Sequence, residues 1–160
     1  MMNPTTELIN ALAYSPRVIV DMVREAPEEI LKRRPAPGEW SIHEQACHLA
    51  FVHPLFFHRL DLMLAEKHPV ITPYNPGVDD AEDALLHLDL QECLGRFVAE
   101  RQRLVERITQ LSAQDWERTA EHPEYARYSI YIMFRHLFLH DQMHAYHIEE
   151  LLLKKDWDGA

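Results

Sequence analysis

A chain of 160 residues, 47% hydrophobic and 26% charged, has the size and composition of one ordinary globular domain spanning residues 1–160. A formal net charge of -10, from 26 Asp and Glu against 16 Lys and Arg, argues against nucleic acid as a partner, because a phosphate backbone would be repelled. Two cysteines do not make a disulfide framework, no apolar run approaches the roughly 20 residues of a membrane span, and no secretory leader pattern opens the chain, so a cytoplasmic protein that uses no membrane is expected.

Four glycines and little alternation of β-branched residues make the chain read as all-helical. The first segment runs from Thr5 to about Glu25, with Leu8, Ile9, Leu12, Val18, Ile19 and Val23 at helical spacing; Ser15-Pro16 predicts a kink or a break into two pieces. Pro27 to Arg34 reads as a short helical turn whose Lys32-Arg33-Arg34 run favours a helix C-terminus. Pro35-Ala-Pro37-Gly38 ends it.

Ser41 with Glu44 three residues on is a capping-box signature, and a long helix is predicted from there to about Glu66, bent near Ala50–Pro54 by Pro54. Residues 67–81, punctuated by three prolines, form the longest loop and a candidate rim or lid. A third long helix is expected from Asp89 to about Leu111, then a linker through Ser112–Trp116 and Glu121–Glu124, then a last helix from Ser129 to about Leu153. The architecture implied is a four-helix bundle with a long loop between the second and third long helices. Cys47 and Cys93 fall among apolar neighbours as reduced core thiols.

The last helix carries the chemistry. His136, His140, His144 and His147 fall within about three turns, and His140 and His144 are spaced i, i+4, which stacks two imidazoles on one face within reach of a shared divalent ion. At about 100° per residue, Ile130, Met133, Leu137, Ile148 and Leu151 share an arc that contains His144 and borders His140, while His136 and His147 lie at its margin. Asp141 points away and is expected at the surface. Phe138, Leu139 and Met143 also leave the arc, which suggests a partner surface and a homodimer.

Two imidazoles make half a site, so a third ligand must come from elsewhere. In the second helix, His43 and His58 are expected to point outward. His48 and His53 flank the apolar face equally, and periodicity does not choose between them. Glu44 is either the nearest general base or simply the capping residue, and Gln45 faces inward, where it can orient a ligand or satisfy the core. Trp40 and Trp116 read as packing residues at helix ends; Arg59 can meet an anionic substrate or pair with Glu66.

The stretch Pro35-Ala-Pro-Gly-Glu-Trp40-Ser41-Ile-His-Glu44-Gln-Ala-Cys-His48-Leu49-Ala50 and Arg59-Leu60 resembles the DinB/YfiT-like superfamily of metal-binding four-helix bundles. Phe97-x-x-x-Arg101, Asp115-Trp116-Glu-Arg118, His122-Pro123-Glu124 and His140-x-x-x-His144-x-x-His147 are similar to the same family. That resemblance implies His48, His140 and His144 as metal ligands, with His53, where many relatives carry an acidic residue, as the alternative to His48. It implies Zn, Ni or Fe as the ion, and a small-molecule substrate. Relatives include thiol-dependent transferases and a maleylpyruvate isomerase, so it also implies a metal-dependent S-transferase or hydrolase, with a low-molecular-weight thiol as a possible co-substrate. The competing expectation is a non-enzymatic bundle, stress-related or metal-sensing, whose metal is structural.

Overall fold

The computed structural model describes residues 3–74 and 83–157. Helix α1 spans Pro4–Glu25, a short α2 spans Glu28–Leu31, α3 spans Ile42–Phe51, α4 spans His53–Ala65, α5 spans Leu90–Thr109, a short α6 spans Ala113–Trp116 and α7 spans Ile130–Leu152. A 3-10 turn over Ala84–His87 precedes α5. Four long units, α1, α3–α4, α5 and α7, make the bundle; α1 packs against both α5 and α7, and α3 packs against the same two from the other side. No described helix is long and apolar enough to cross a membrane.

The helix starts follow local chemistry. Ser41 accepts from the Glu44 N–H while Glu44 reaches back to the Ser41 N–H, a complete capping box, and Ser112 with Asp115 repeats it at α6. Asp89 and Ser129 cap α5 and α7 by accepting from Glu92 and Ile132. Gly38 adopts φ +82°, a left-handed turn conformation that suits glycine, between α2 and α3.

The two internal prolines behave differently from each other. The second helix divides at Val52, at the bend predicted from Pro54, into α3 and α4. The first does not divide: α1 is continuous through Pro16. Pro16 has no N–H for the Leu12 carbonyl, and Arg101 Nη1 from α5 donates to that carbonyl at 3.2 Å instead. Ser15, expected to cap a second piece, is buried and donates to Asp141 Oδ2 at 2.8 Å.

Arg101 and Asp141 belong to a polar layer that divides the core. Leu12, Leu60, Leu104, Phe134 and Leu137 lie in one apolar cluster, and Ile19, Leu49, Phe97 and Ile148 lie in another. Ser15, His53, Arg101 and Asp141 fall between these sets on their helices. Arg101 is 1% exposed and Asp141 0%, and they form a bidentate pair at 2.5 and 3.0 Å. Asp141 is therefore a core residue, contrary to the surface position expected of it. The apolar arc of α7 underrepresents its buried face, because α1 packs on it as well as α3.

Two other expectations are corrected. His43 is buried, not solvated: the 3-10 turn covers the outer side of α3, and the Leu85 carbonyl lies 3.1 Å from His43 Nε2. The basic run after α2 does more than face a helix end: Lys32 donates to the Leu86 carbonyl, Arg33 to the Trp157 carbonyl, and Arg34 pairs with Glu44 and Asp83. Residues 75–81 of the predicted 67–81 loop lie outside the described residues. Its start is tied down, since Ile71 N–H donates to the Glu121 carbonyl and Glu121 N–H to the Pro69 carbonyl, at 2.8 and 2.9 Å. Cys47 and Cys93 are buried free thiols.

Candidate metal centre

His48 from α3 and His140 and His144 from α7 meet through their Nε2 atoms. His48 Nε2 and His144 Nε2 each lie 3.0 Å from His140 Nε2. The three imidazoles form the one group of metal-ligating side chains of this kind among the described residues, with one donor atom from each lying within 4.8 Å of the others. His48 and His144 are buried and His140 is partly so.

The protonation pattern follows from the partners. Gln45 Oε1 accepts from His144 Nδ1, which leaves the His144 Nε2 lone pair directed at its neighbours. Burial, then the neighbouring imidazoles of His140 and His48, pushes His144 down to about 2, and burial lowers His140 as well. Neutral rings meeting nitrogen to nitrogen cannot all be satisfied by one another, since each close pair needs a proton between its two lone pairs. A tetrahedral ion with bonds of about 2.0–2.1 Å spaces its ligand nitrogens by about 3.3 Å, within a few tenths of an ångström of the separations here. The donor set fits a divalent metal, and it does not distinguish zinc, nickel and iron.

His53 is committed elsewhere. Arg101 Nε donates to His53 Nε2 at 3.0 Å, so the lone pair that a metal would need is already in use. Burial and the Arg101 charge lower His53 to about 3, while the Ala50 carbonyl, which Pro54 has no N–H to meet, acts in the opposite direction. Glu44 also stays outside the cluster. Its carboxylate accepts from the Ser41 N–H and hydroxyl, both at 2.9 Å, and pairs with Arg34. Its pKa lies below the usual carboxylate value because those hydrogen bonds outweigh the cost of burial. That leaves it as the capping residue and not beside the imidazoles as a base.

The cluster opens on a pocket of about 470 Å³. Trp40 forms one wall, its ring 4.9 Å from His48 and stacked over His144 at 6.1 Å, so it packs on the site itself and does more than close a helix end. Trp116, by contrast, is buried against Phe134 and Tyr131. His136, one turn before His140, lines the same pocket and touches Tyr125 and Tyr128, while His147 is exposed beside a second depression on the far side of Trp40. His122, Tyr125 and Tyr128 come from the segment between α6 and α7, which pairs with Pro69 and Ile71 in the stretch after α4 and completes the wall. Their part in the pocket has no periodic signal, and only the His122-Pro123-Glu124 motif marked the segment. Of the residues read as a partner surface, Leu139 and Met143 are about half exposed, at 54% and 47%, and Phe138 packs partly on the core.

The profile of the DinB superfamily matches residues 11–148. An Oceanobacillus iheyensis protein named "putative metal-dependent hydrolase" is 32% identical over 154 residues, covering 94% of this chain and 87% of that protein. A Bacillus cereus protein of the same name is 24% identical over 143 residues, covering 89% and 82%. Among solved structures, YfiT from Bacillus subtilis, described as "a probable metal-dependent hydrolase with an unusual four-helix bundle topology", superposes with a TM-score of 0.82 at 22% identity, covering 94% of this chain and 88% of that one. With the bundle and its three-histidine cluster, the chain belongs to the DinB superfamily.

Proposed function

We propose that this protein is a metal-dependent hydrolase of a small organic molecule, with His48, His140 and His144 as the ligands. The observation that carries the reading is the convergence of three imidazole nitrogens at the wall of a pocket. A closed structural site takes four protein ligands, whereas three with an open side is the pattern of catalytic sites. The names of the relatives support hydrolysis over thiol transfer.

When bound, a divalent ion held by three neutral ligands supplies Lewis acidity and a nucleophile at neutral pH. The chain supplies the rest. Gln45 holds the His144 ring in the tautomer that presents Nε2. His136 lines the pocket, and burial holds it below the usual histidine value, which suits a neutral proton acceptor, whereas the His122 lone pair at Nδ1 is taken by the Glu124 N–H. Trp40 and Phe56 line the pocket with apolar surface against which a substrate can pack.

Metal analysis of the purified protein should give one ion per chain, and the double variant His140→Ala/His144→Ala should retain less than a tenth of it. That variant should also lose hydrolysis across a panel of aryl esters, lactones and amides. Stoichiometric metal surviving both substitutions would rule the site out.

A further inference from the structure

The pocket contains a cation that has no counter-ion among the described residues. Arg59 of α4 lines it about three helical turns beyond His48, at the end away from the imidazoles. The pairing with Glu66 that the sequence allowed does not form. Arg59 Nη2 donates to the Thr72 carbonyl at 2.9 Å and Nη1 to the Tyr128 hydroxyl at 3.4 Å, both neutral acceptors. Its Nε is buried and meets no acceptor. No carboxylate pairs with it among the described residues, in a chain where acidic groups outnumber basic ones by 26 to 16. Glu124 is the one carboxylate among the described lining residues, and it is exposed, where solvent screens it.

A partly buried guanidinium with an unused donor carries a desolvation cost that its two neutral acceptors offset only in part. The Arg59 charge also lowers His122, which keeps that ring neutral and leaves the guanidinium as the positive group facing this end of the pocket. Val52, Leu55, Phe56 and Tyr125 line the space with apolar and aromatic surface.

We propose that Arg59, with the Tyr128 hydroxyl beside it, is a specificity residue that binds an anionic group on the substrate, so that the substrates are elongated aryl or alkyl acids whose carboxylate sits at Arg59 and whose hydrolysable bond lies at the other end, toward the imidazoles. Guanidinium geometry favours a planar carboxylate, which can take two parallel hydrogen bonds. Arg59 takes no part in bond cleavage; it fixes which molecules enter and how far along the pocket they sit. The proposal rests on the metal-hydrolase reading only for what happens at the imidazole end.

The test is binding of 3-phenylpropionate against the neutral 3-phenylpropionamide, followed by Trp40 fluorescence and calorimetry, on the purified protein and again after chelation. The wild-type chain should bind the acid at least about tenfold more tightly than the amide in both states, since one charge-assisted pair at a desolvated site is worth that much. Arg59→Met should bring the two ligands to within about twofold, Arg59→Lys should keep part of the preference, and Tyr128→Phe should lower it a few-fold. Equal binding of acid and amide by the wild type would overturn the proposal, as would an undiminished preference in Arg59→Met. A preference that vanishes on chelation yet survives Arg59→Met would place the carboxylate on the metal, overturning this proposal while leaving the metal site standing. An Arg59-dependent preference in a protein that never binds metal would do the reverse. Because Arg59 also holds the Thr72 carbonyl, thermal melting accompanies each variant. Should Arg59→Met fail to fold, Arg59→Lys and Tyr128→Phe decide: an unchanged preference in both would overturn the proposal.

Discussion

The molecule buries two clusters of histidine and polar groups side by side, and they are built to opposite rules. In the layer of Ser15, His53, Arg101 and Asp141 the buried charges are paired: the guanidinium serves Asp141 twice, His53 once and the Leu12 carbonyl once, leaving His53 Nδ1 without a partner. In the cluster of His48, His140 and His144, three acceptor nitrogens face one another and a pocket. The first cluster pairs its charges internally and joins helices. The second brings ring nitrogens together that a shared cation would satisfy, and its environment makes protonation a costly substitute, since burial lowers His140 and His144. Being buried and polar does not distinguish a site from a scaffold; whether the charges are already paired and the facing ring nitrogens already taken does. His140 and Asp141 are adjacent in sequence and belong to different clusters.

That contrast predicts different responses to substitution. The largest effect on stability belongs to the closed layer: Asp141→Ala leaves Arg101 buried and unpaired, and should cost about 3–5 kcal/mol in denaturant unfolding. In chelated protein, the His140→Ala/His144→Ala variant should lose less than that, because no compensated charge is broken. If the two costs came out equal, the distinction between the clusters would fail.

A smaller effect should come from Gln45→Ala, which touches no ion directly and leaves the fold in place. Freed to adopt the other tautomer, His144 should hold metal about 10–100-fold more weakly in competition titrations with a chelator. Unchanged affinity would mean that the Gln45 contact does not orient the ring.

The smallest effect per step is on pH dependence. His53 is held neutral to about pH 3 in the fold and titrates near 6.5 when unfolded, so below pH 6.5 the unfolded chain takes up a proton that the folded chain refuses. Its contribution to stability is intact above pH 6.5 and is lost as pH falls from there toward 3, at up to about 1.4 kcal/mol per unit. His53→Gln should flatten the wild-type slope between pH 6.5 and 4, measured on chelated protein, by that amount. The same slope in both proteins would show that His53 is already charged.

How far the sequence reached differs between the clusters for the same reason. Capping boxes, proline positions and the i, i+4 histidine pair are local patterns, and each predicted what it should: the helix starts at Ser41, Asp89 and Ser129, the break near Pro54, and two imidazoles on one face of α7. The closed layer was not legible. The partner of Asp141 is Arg101, forty residues away on another helix, and an apolar arc drawn at 100° per residue assumes that a helix buries one side only. His43 was misjudged because its cover is the 3-10 turn, whose Leu85 carbonyl lies 42 residues on. The continuity of α1 through Pro16 depends on the same arginine.

By itself, then, the sequence determined an all-helical four-helix bundle and an inward pair at His140 and His144, because helical period and capping are properties of neighbours in the chain. Between His48 and His53 it gave equal odds by periodicity, and only a resemblance favoured His48. Tertiary structure separates the two by chemistry: Arg101 takes the Nε2 lone pair of His53, while that of His48 faces His140. It likewise decided that Glu44 caps, that Trp40 lines the pocket and that Arg59 stands there without a counter-ion among the described residues. Which lone pair is occupied, and by what, depends on atoms that the fold alone brings together.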